Sequence, residues 1–272
     1  MGLLARPLPL FVVSALVAAA LSALALALVT AIDSDPADTG TRSEAVSTPT
    51  IAPPTPSATT TPTPQVPGDL AGVQIAAKDL PQGDYSRYSV NLTRFVQEVQ
   101  DYWASWFAGR GVAWVPPLVH PRAELVPDLV CDGRMPGVQG SYYCTPDNFI
   151  ALAETGQTLP IYVHIGSYGL ATVVSHEFGH AVQRALDLDH ERSSSKELQA
   201  DCFAGAWFQA YQEKGGFVDR EVPFSQAIDA MGTTDQGEDL SERSESFTAG
   251  FDGGPDACIA GFPEDGLRTI AR

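Results

Sequence analysis

Apolar and polar positions divide the chain into three stretches of different character. Leu8 to Ile32 is almost wholly apolar, rich in Leu, Ala and Val, and carries no charge. An apolar run longer than roughly 20 residues can cross a bilayer as a helix. Arg6 precedes it and Asp33 and Asp35 follow, so the N-terminus is predicted to stay in the cytoplasm and the remainder to be exported. Residues 1–32 therefore read as a signal anchor, a single transmembrane helix. The competing reading is a signal peptide cut near Val29-Thr30-Ala31, which would release the protein. The run exceeds the usual h-region of roughly 7–15 residues, which favours the uncleaved anchor. Residues 33–68 show no periodicity. Thr59-Thr60-Thr61-Pro62-Thr63-Pro64 is typical of this stretch. Such a Pro/Thr/Ser composition cannot bury a core and predicts a disordered, extended linker. At about 3.1 Å per residue, its Pro-rich part could reach on the order of 60 Å.

From residue 69 the pattern becomes that of a folded domain, 69–272. Leu92, Phe95, Val96, Val99, Trp103, Trp106 and Phe107 follow helical spacing and predict a helix over Asn91 to Phe107, ended by Gly109 and Gly111. Val115 to Pro127 is Pro-rich and reads as a loop, with His120 a surface or packed residue. Phe149 to Ala153 and Ile161 to Ile165 read as short strands. Leu170, Val173, Val174, Phe178, Ala181, Val182 and Leu186 mark a second helix. Lys196 to Glu213 predicts a third, ended by Gly215-Gly216, and Pro223 to Met231 a fourth, closed by Gly232. Thr233 to Gly254 is polar and Gly-rich, with no assignable pattern. The expected fold is α+β, mainly helical, with a small β-sheet beside the helix around residue 178. A strand at Ile161 to Ile165 would offer main-chain hydrogen bonds to a bound peptide.

Charge narrows the function. The chain has 33 acidic and 16 basic residues and a net charge of −17, with no basic run. Phosphates would be repelled, so nucleic acid is not an expected partner. The four cysteines, Cys131, Cys144, Cys202 and Cys258, form no C-x-x-C pair, which argues against a Cys-based zinc site. In an exported chain they permit two disulfides in three pairings. Cys131 and Cys144 flank a Gly-rich loop and are the first choice, leaving Cys202 with Cys258. Closing the shorter loop stabilises by about 3 kcal/mol in the chain-entropy account. The alternative is four buried thiols.

The chemistry centres on His176-Glu177-Phe178-Gly179-His180. Positions i and i+4 of a helix share a face, so both imidazoles can reach one metal ion, and zinc suits such donors. Glu177 hangs beside the metal and can take a proton from a metal-bound water. Gly179 costs a helix roughly 1 kcal/mol relative to Ala, which is easier to explain if another backbone or a substrate comes close. A catalytic zinc needs a third protein ligand. Glu197, in Glu197-Leu198-Gln199-Ala200-Asp201, is the best candidate, with Asp201 one turn later to accept the spare N–H of a ligand His. The competing role for Glu197 is a capping box with Ser194. The metzincin pattern is ruled out, because Gln183 and Leu186 stand where its Gly and third His belong. His190 and Asp235 are weaker ligand candidates. Tyr168 and His164 are both candidates for an oxyanion donor.

Joined together, His176 to Gln183 and Glu197-Leu198-Gln199-Ala200-Asp201-Cys202-Phe203-Ala204-Gly205 resemble the neutral zinc metallopeptidases of bacteria, membrane-anchored proteins of the zincin type. Tyr142-Tyr143-Cys144, Ser246-Phe247-Thr248-Ala249-Gly250 and the neighbourhood of Cys258 are similar to further segments of that family. The resemblance implies a zincin-like fold. It implies zinc held by His176, His180 and Glu197, Glu177 as the general base, and a peptide or protein substrate. It leaves the linker and the segment before residue 128 unexplained. In one respect the chain departs from the family, which commonly has a His where Ala249 stands. A non-catalytic, metal-stabilised surface module is therefore the alternative to a peptidase. On the leading reading the protein sits in the cell membrane with its C-terminal domain outside the cytoplasm.

Overall fold

The computed structural model describes residue 70 and residues 72–132, 140–188, 193–233 and 239–262. The predicted anchor 1–32, the linker 33–68, most of the Gly-rich loop between Cys131 and Cys144, His190 and Asp235 lie outside the described residues. No helix among the described residues is long and apolar enough to cross a membrane.

The described architecture is mainly helical with one small sheet. Helix α1, Gln82–Arg110, begins a full two turns before the predicted start. Tyr85 and Tyr88 extend its apolar face, and the Tyr88 hydroxyl meets Thr158 Oγ1 at 2.7 Å. Gly109 lies inside the helix, which Gly111 closes in the left-handed conformation at φ 65°. The buried stripe of α1 runs Tyr88, Leu92, Phe95, Val99, Trp103 and Phe107. Phe95 packs edge-on against Trp207 and Trp103 against Phe203. Each such fully buried ring contributes about 2–3 kcal/mol of transfer free energy.

The sheet has three strands, β1 Leu118–His120, β2 Tyr142–Cys144 and β3 Phe149–Ala151, in the order β1-β3-β2. β1 runs parallel to β3 and β2 antiparallel to it. β1 lies in the stretch read as a loop. Three residues of ladder fit between Pro116-Pro117 and Pro121, so the prolines bound the strand rather than exclude it. His120 ends β1, half-buried with its ring edge-on to Phe149.

The expected strand at Ile161 to Ile165 is instead helical. Leu159–His164 forms the short helix α2, with Pro160 at its start and Leu159, Pro160 and Ile161 buried. Proline in the first turn forgoes an N–H that has no helical partner anyway, and its fixed φ suits the turn. Five alternating residues are too few to separate a strand from a helix, and the Pro160 signal outweighs them. That segment therefore presents no strand edge to a peptide.

Helix α3, Ser167–Ala185, is the central element and is buried over nearly its whole length. Gln226 Oε1 accepts the Tyr168 N–H at its first turn, 2.9 Å away. Around α3 are α1, α4 (Ser193–Glu213), α5 (Glu221–Gly232) and strand β2. Helix α6, Leu240–Gly261, fills the polar stretch that sequence left unassigned, with a break at Gly254, φ 67°, just before Pro255. It lies along α4 at van der Waals distance. A Cβ at Gly205 would overlap the Phe247 carbonyl oxygen, and one at Gly250 the Cys202 carbonyl oxygen. Disulfides join Cys131 to Cys144 and Cys202 to Cys258, with Cα separations of 5.7 and 5.6 Å. The second ties α4 to α6.

Candidate metal centre

The helical period of α3 places His176 and His180 on one face, rings edge to face with centroids 4.8 Å apart. Gly179 faces the neighbouring helix. A Cβ there would stand 2.8 Å from the carbonyl oxygen of Ala200 and 2.9 Å from its Cα. The glycine admits the backbone of α4, and that approach carries Glu197 to the two rings. Glu197 Oε2 lies 3.1 Å from His176 Nε2 and 3.2 Å from His180 Nε2. Its carboxylate is turned to the imidazoles, so Glu197 does not serve as the cap partner of Ser194. His176, His180 and Glu197 form a group that could hold a metal ion. The other such group among the described residues, Cys131, Cys144 and Asp147, has its two sulfurs joined in a disulfide and offers no thiolate.

Each imidazole is held from behind. His176 Nδ1 donates to Asp201 Oδ1 at 2.8 Å. Asp201 is fully buried and is gripped by Arg243 of α6, whose Nε reaches Oδ2 at 2.8 Å and Nη2 reaches Oδ1 at 3.0 Å. Arg243 Nη1 also donates to the Met231 carbonyl at 2.9 Å. His180 Nδ1 lies 2.9 Å from Gln183 Oε1. Ser246, in the Ser-Phe-Thr segment, donates to the Leu198 carbonyl at 2.6 Å and ties α6 to the turn between Glu197 and Asp201.

Charges within the site shift one another. Burial alone would push the His176 ring down, but the Asp201 carboxylate outweighs it, with help from Glu197, and raises its pKa to about 10. Burial would likewise raise Glu197 and Asp201. Hydrogen bonds from the two imidazoles hold Glu197 below the usual carboxylate range, and His176 and Arg243 do the same for Asp201. Glu177 goes the other way. Burial raises it, and the two imidazoles only partly offset that.

The donor set fits a catalytic zinc: two imidazole nitrogens and one carboxylate oxygen, with a hydrogen-bonded layer behind them. Glu177 supplies a second observation. Its Oε2 is buried and accepts no hydrogen bond from the described residues, although buried carboxylate oxygens are normally satisfied. A small cleft opens beside it, with Gln157, Thr172, Val173, Ala230 and Met231 among its walls.

The remaining sequence candidates separate on position. Tyr168 is committed elsewhere: its hydroxyl donates to the Gly216 carbonyl at 3.2 Å and its ring packs against Phe95, Phe208 and Phe217. His164 ends α2 and is not part of the metal-binding group. Sequence reading missed Gln183, Gln199 and Arg243. Gln183 carried a usable signal, three residues past His180 and so on the same helical face. Arg243 carried none, because a charged residue in a polar stretch reads as solvated.

The described domain is mainly helical and brings two imidazoles from one helix and a carboxylate from the next into a set that could hold a metal ion. The chain belongs to the family described as Putative neutral zinc metallopeptidase, whose model matches residues 74–252. It is 27% identical over 191 residues to YpfJ of Escherichia coli K12, and equally to YpfJ of Escherichia coli O6:H1 strain CFT073, both described as uncharacterized. Each match takes in 58% of this chain and 66% of the relative, so the chain spans just under two thirds of those relatives' length. No solved structure matches it.

Proposed function

We propose that this chain is a membrane-anchored zinc metallopeptidase that cleaves peptide bonds outside the cytoplasm. The observation that carries the reading is the convergence of His176, His180 and Glu197 on one point, next to a buried Glu177 with an unsatisfied oxygen. A zinc ion there would polarise a carbonyl and lower the pKa of a bound water towards 7. The chain's own residues do the rest. His176, His180 and Glu197 are the ligands, and Asp201 steadies His176. Glu177 accepts a proton from the attacking water and returns it to the leaving amine nitrogen. Val173, Ala230 and Met231 give the cleft beside Glu177 its apolar wall. Segment 1–32 is the single membrane anchor, 33–68 the stalk, and 69–272 the catalytic domain.

Glu177→Gln tests the reading. The variant keeps the ligand set and removes the base, so it binds zinc as wild type does while chelator-sensitive cleavage of a mixed peptide library falls by about 10²–10⁴-fold. A variant that cuts at the wild-type rate would refute the assignment. Ala249 favours the second reading, a metal-stabilised binding module. It sits half-buried on α6 against the main core. Zinc-loaded wild type that cleaves nothing in the library would decide for that module.

A further inference from the structure

Behind His180 runs a chain of side-chain amides whose direction is set at both ends. The Lys196 carbonyl oxygen can only accept, so the Gln183 atom 2.7 Å from it is the amide nitrogen. That nitrogen also donates to Gln199 Oε1 at 3.0 Å, and Gln199 Nε2 donates to the Cys258 carbonyl at 3.1 Å. Both amides are buried, and neither can flip without setting two donors or two acceptors against each other. Gln183 Oε1 is thereby left facing His180 Nδ1 at 2.9 Å. An oxygen there requires the proton on Nδ1. In the neutral ring the lone pair is then left on Nε2, facing Glu197 Oε2, where a bound cation would replace the proton that the ring shares with Glu197 in the metal-free site. A cation shared by the two groups needs that placement.

The chain also ends on a fixed point. Cys258 is cross-linked to Cys202, three residues past Gln199 on α4. The carbonyl that orients Gln199 is thus bound to the helix that carries Glu197.

We propose that Gln183 is a positioning residue for metal binding. It sets the tautomer and rotation of His180, and Gln199 sets the direction of the Gln183 amide. The inference rests on the zinc-centre reading and extends it. The two imidazoles are oriented by different means, His176 by a buried ion pair and His180 by neutral amides. Replacing the Gln183 amide with an apolar chain of similar length would strand the Nδ1–H and free the ring to turn.

The test uses the full-length chain in detergent: wild type, Gln183→Met, Gln183→Glu and Gln199→Met. Zinc affinity is read by competition with a chromophoric chelator, and ligand geometry by the visible spectrum of the Co²⁺ form. Gln183→Met binds zinc about 10–100-fold more weakly, with an altered Co²⁺ spectrum. Gln183→Glu still offers an acceptor to Nδ1, so it stays within about fivefold of wild type, although its metal-free form melts earlier because Lys196 and Gln199 lose their donor. A role in packing alone would not separate these two variants. Gln183→Met within threefold of wild type overturns the proposal, as does Gln183→Glu losing as much as Gln183→Met. If Gln183→Met does not fold, Gln199→Met decides: weakened binding supports the relay and unchanged binding overturns it. Wild type that takes up no zinc sinks the metal centre itself. Wild type that binds zinc but cleaves nothing leaves this inference standing.

Discussion

Gly250→Ala replaces one hydrogen with a methyl at the tightest point of the fold. The new carbon would overlap the Cys202 carbonyl oxygen, while real Cβ atoms stay beyond 3.0 Å from such neighbours. The obstacle is backbone in the middle of α4, so no side chain can swing aside. α4 and α6 must part by roughly 1 Å or more to restore van der Waals separation. Overpacking of this kind costs about 1–3 kcal/mol. Separation also stretches the Ser246 to Leu198 bond of 2.6 Å and the Arg243 to Asp201 bonds of 2.8 and 3.0 Å, adding roughly another 1–2 kcal/mol. The alanine returns about 1 kcal/mol in helix propensity. The net expectation is a loss of about 1–4 kcal/mol. Gly109→Ala is the matched control, since a Cβ there meets nothing within 4 Å. That variant gains up to about 1 kcal/mol. Urea unfolding of the metal-free protein, with m-values compared, measures both. Equal midpoints for the two variants would refute the backbone-contact account of the α4–α6 crossing.

Three further outcomes follow from the charged groups and the Cys202–Cys258 bridge. Arg243→Met leaves the Asp201 carboxylate buried without its guanidinium, so the metal-free protein loses about 3–5 kcal/mol in urea unfolding. Adding Asp201→Asn removes the buried carboxylate that His176 alone would be left to pair, and recovers part of that loss; a double variant less stable than the single one would contradict the ion-pair argument. In metal-free protein His176 titrates at about 10, against 6.5 for an ordinary imidazole. A raised folded-state pKa stabilises fully below the unfolded value and stops doing so as pH climbs through the folded one. Urea midpoints in EDTA therefore fall from about pH 6.5 to about 10 more steeply for wild type than for His176→Gln, and a parallel fall would count against the shift. Reducing both disulfides releases Cys258 and weakens zinc binding in a competition assay. Unchanged affinity would show that the Cys202–Cys258 bridge does not support the site.

Parts of the fold were legible because their physics is local. α3 and α4 carry a helical stripe together with residues whose chemistry demands one face, so their extent and the approach of Glu197 to His176 and His180 could be read from spacing. α6 was not legible. Its buried face mixes Phe247 and Phe251 with Arg243, Ser246, Gly250 and Gly254, and it meets α4 by backbone approach at Gly250, so two large apolar residues among small and polar ones leave a weak hydrophobic period. The same helix supplies Arg243, so the partner of Asp201 was hidden along with it. Ile161 to Ile165 misled because alternation over so few residues also suits a short helix started by Pro160. β1 was hidden among prolines that bound it on both sides.

Metal content is the most direct measurement on the central claim. Purified wild type and Glu197→Ala, dialysed side by side and analysed by inductively coupled plasma mass spectrometry, compare a complete ligand set with one that has lost its carboxylate. The account predicts close to one zinc per wild-type chain and a marked loss in the variant. Equal zinc in both proteins, or none in wild type, would contradict it.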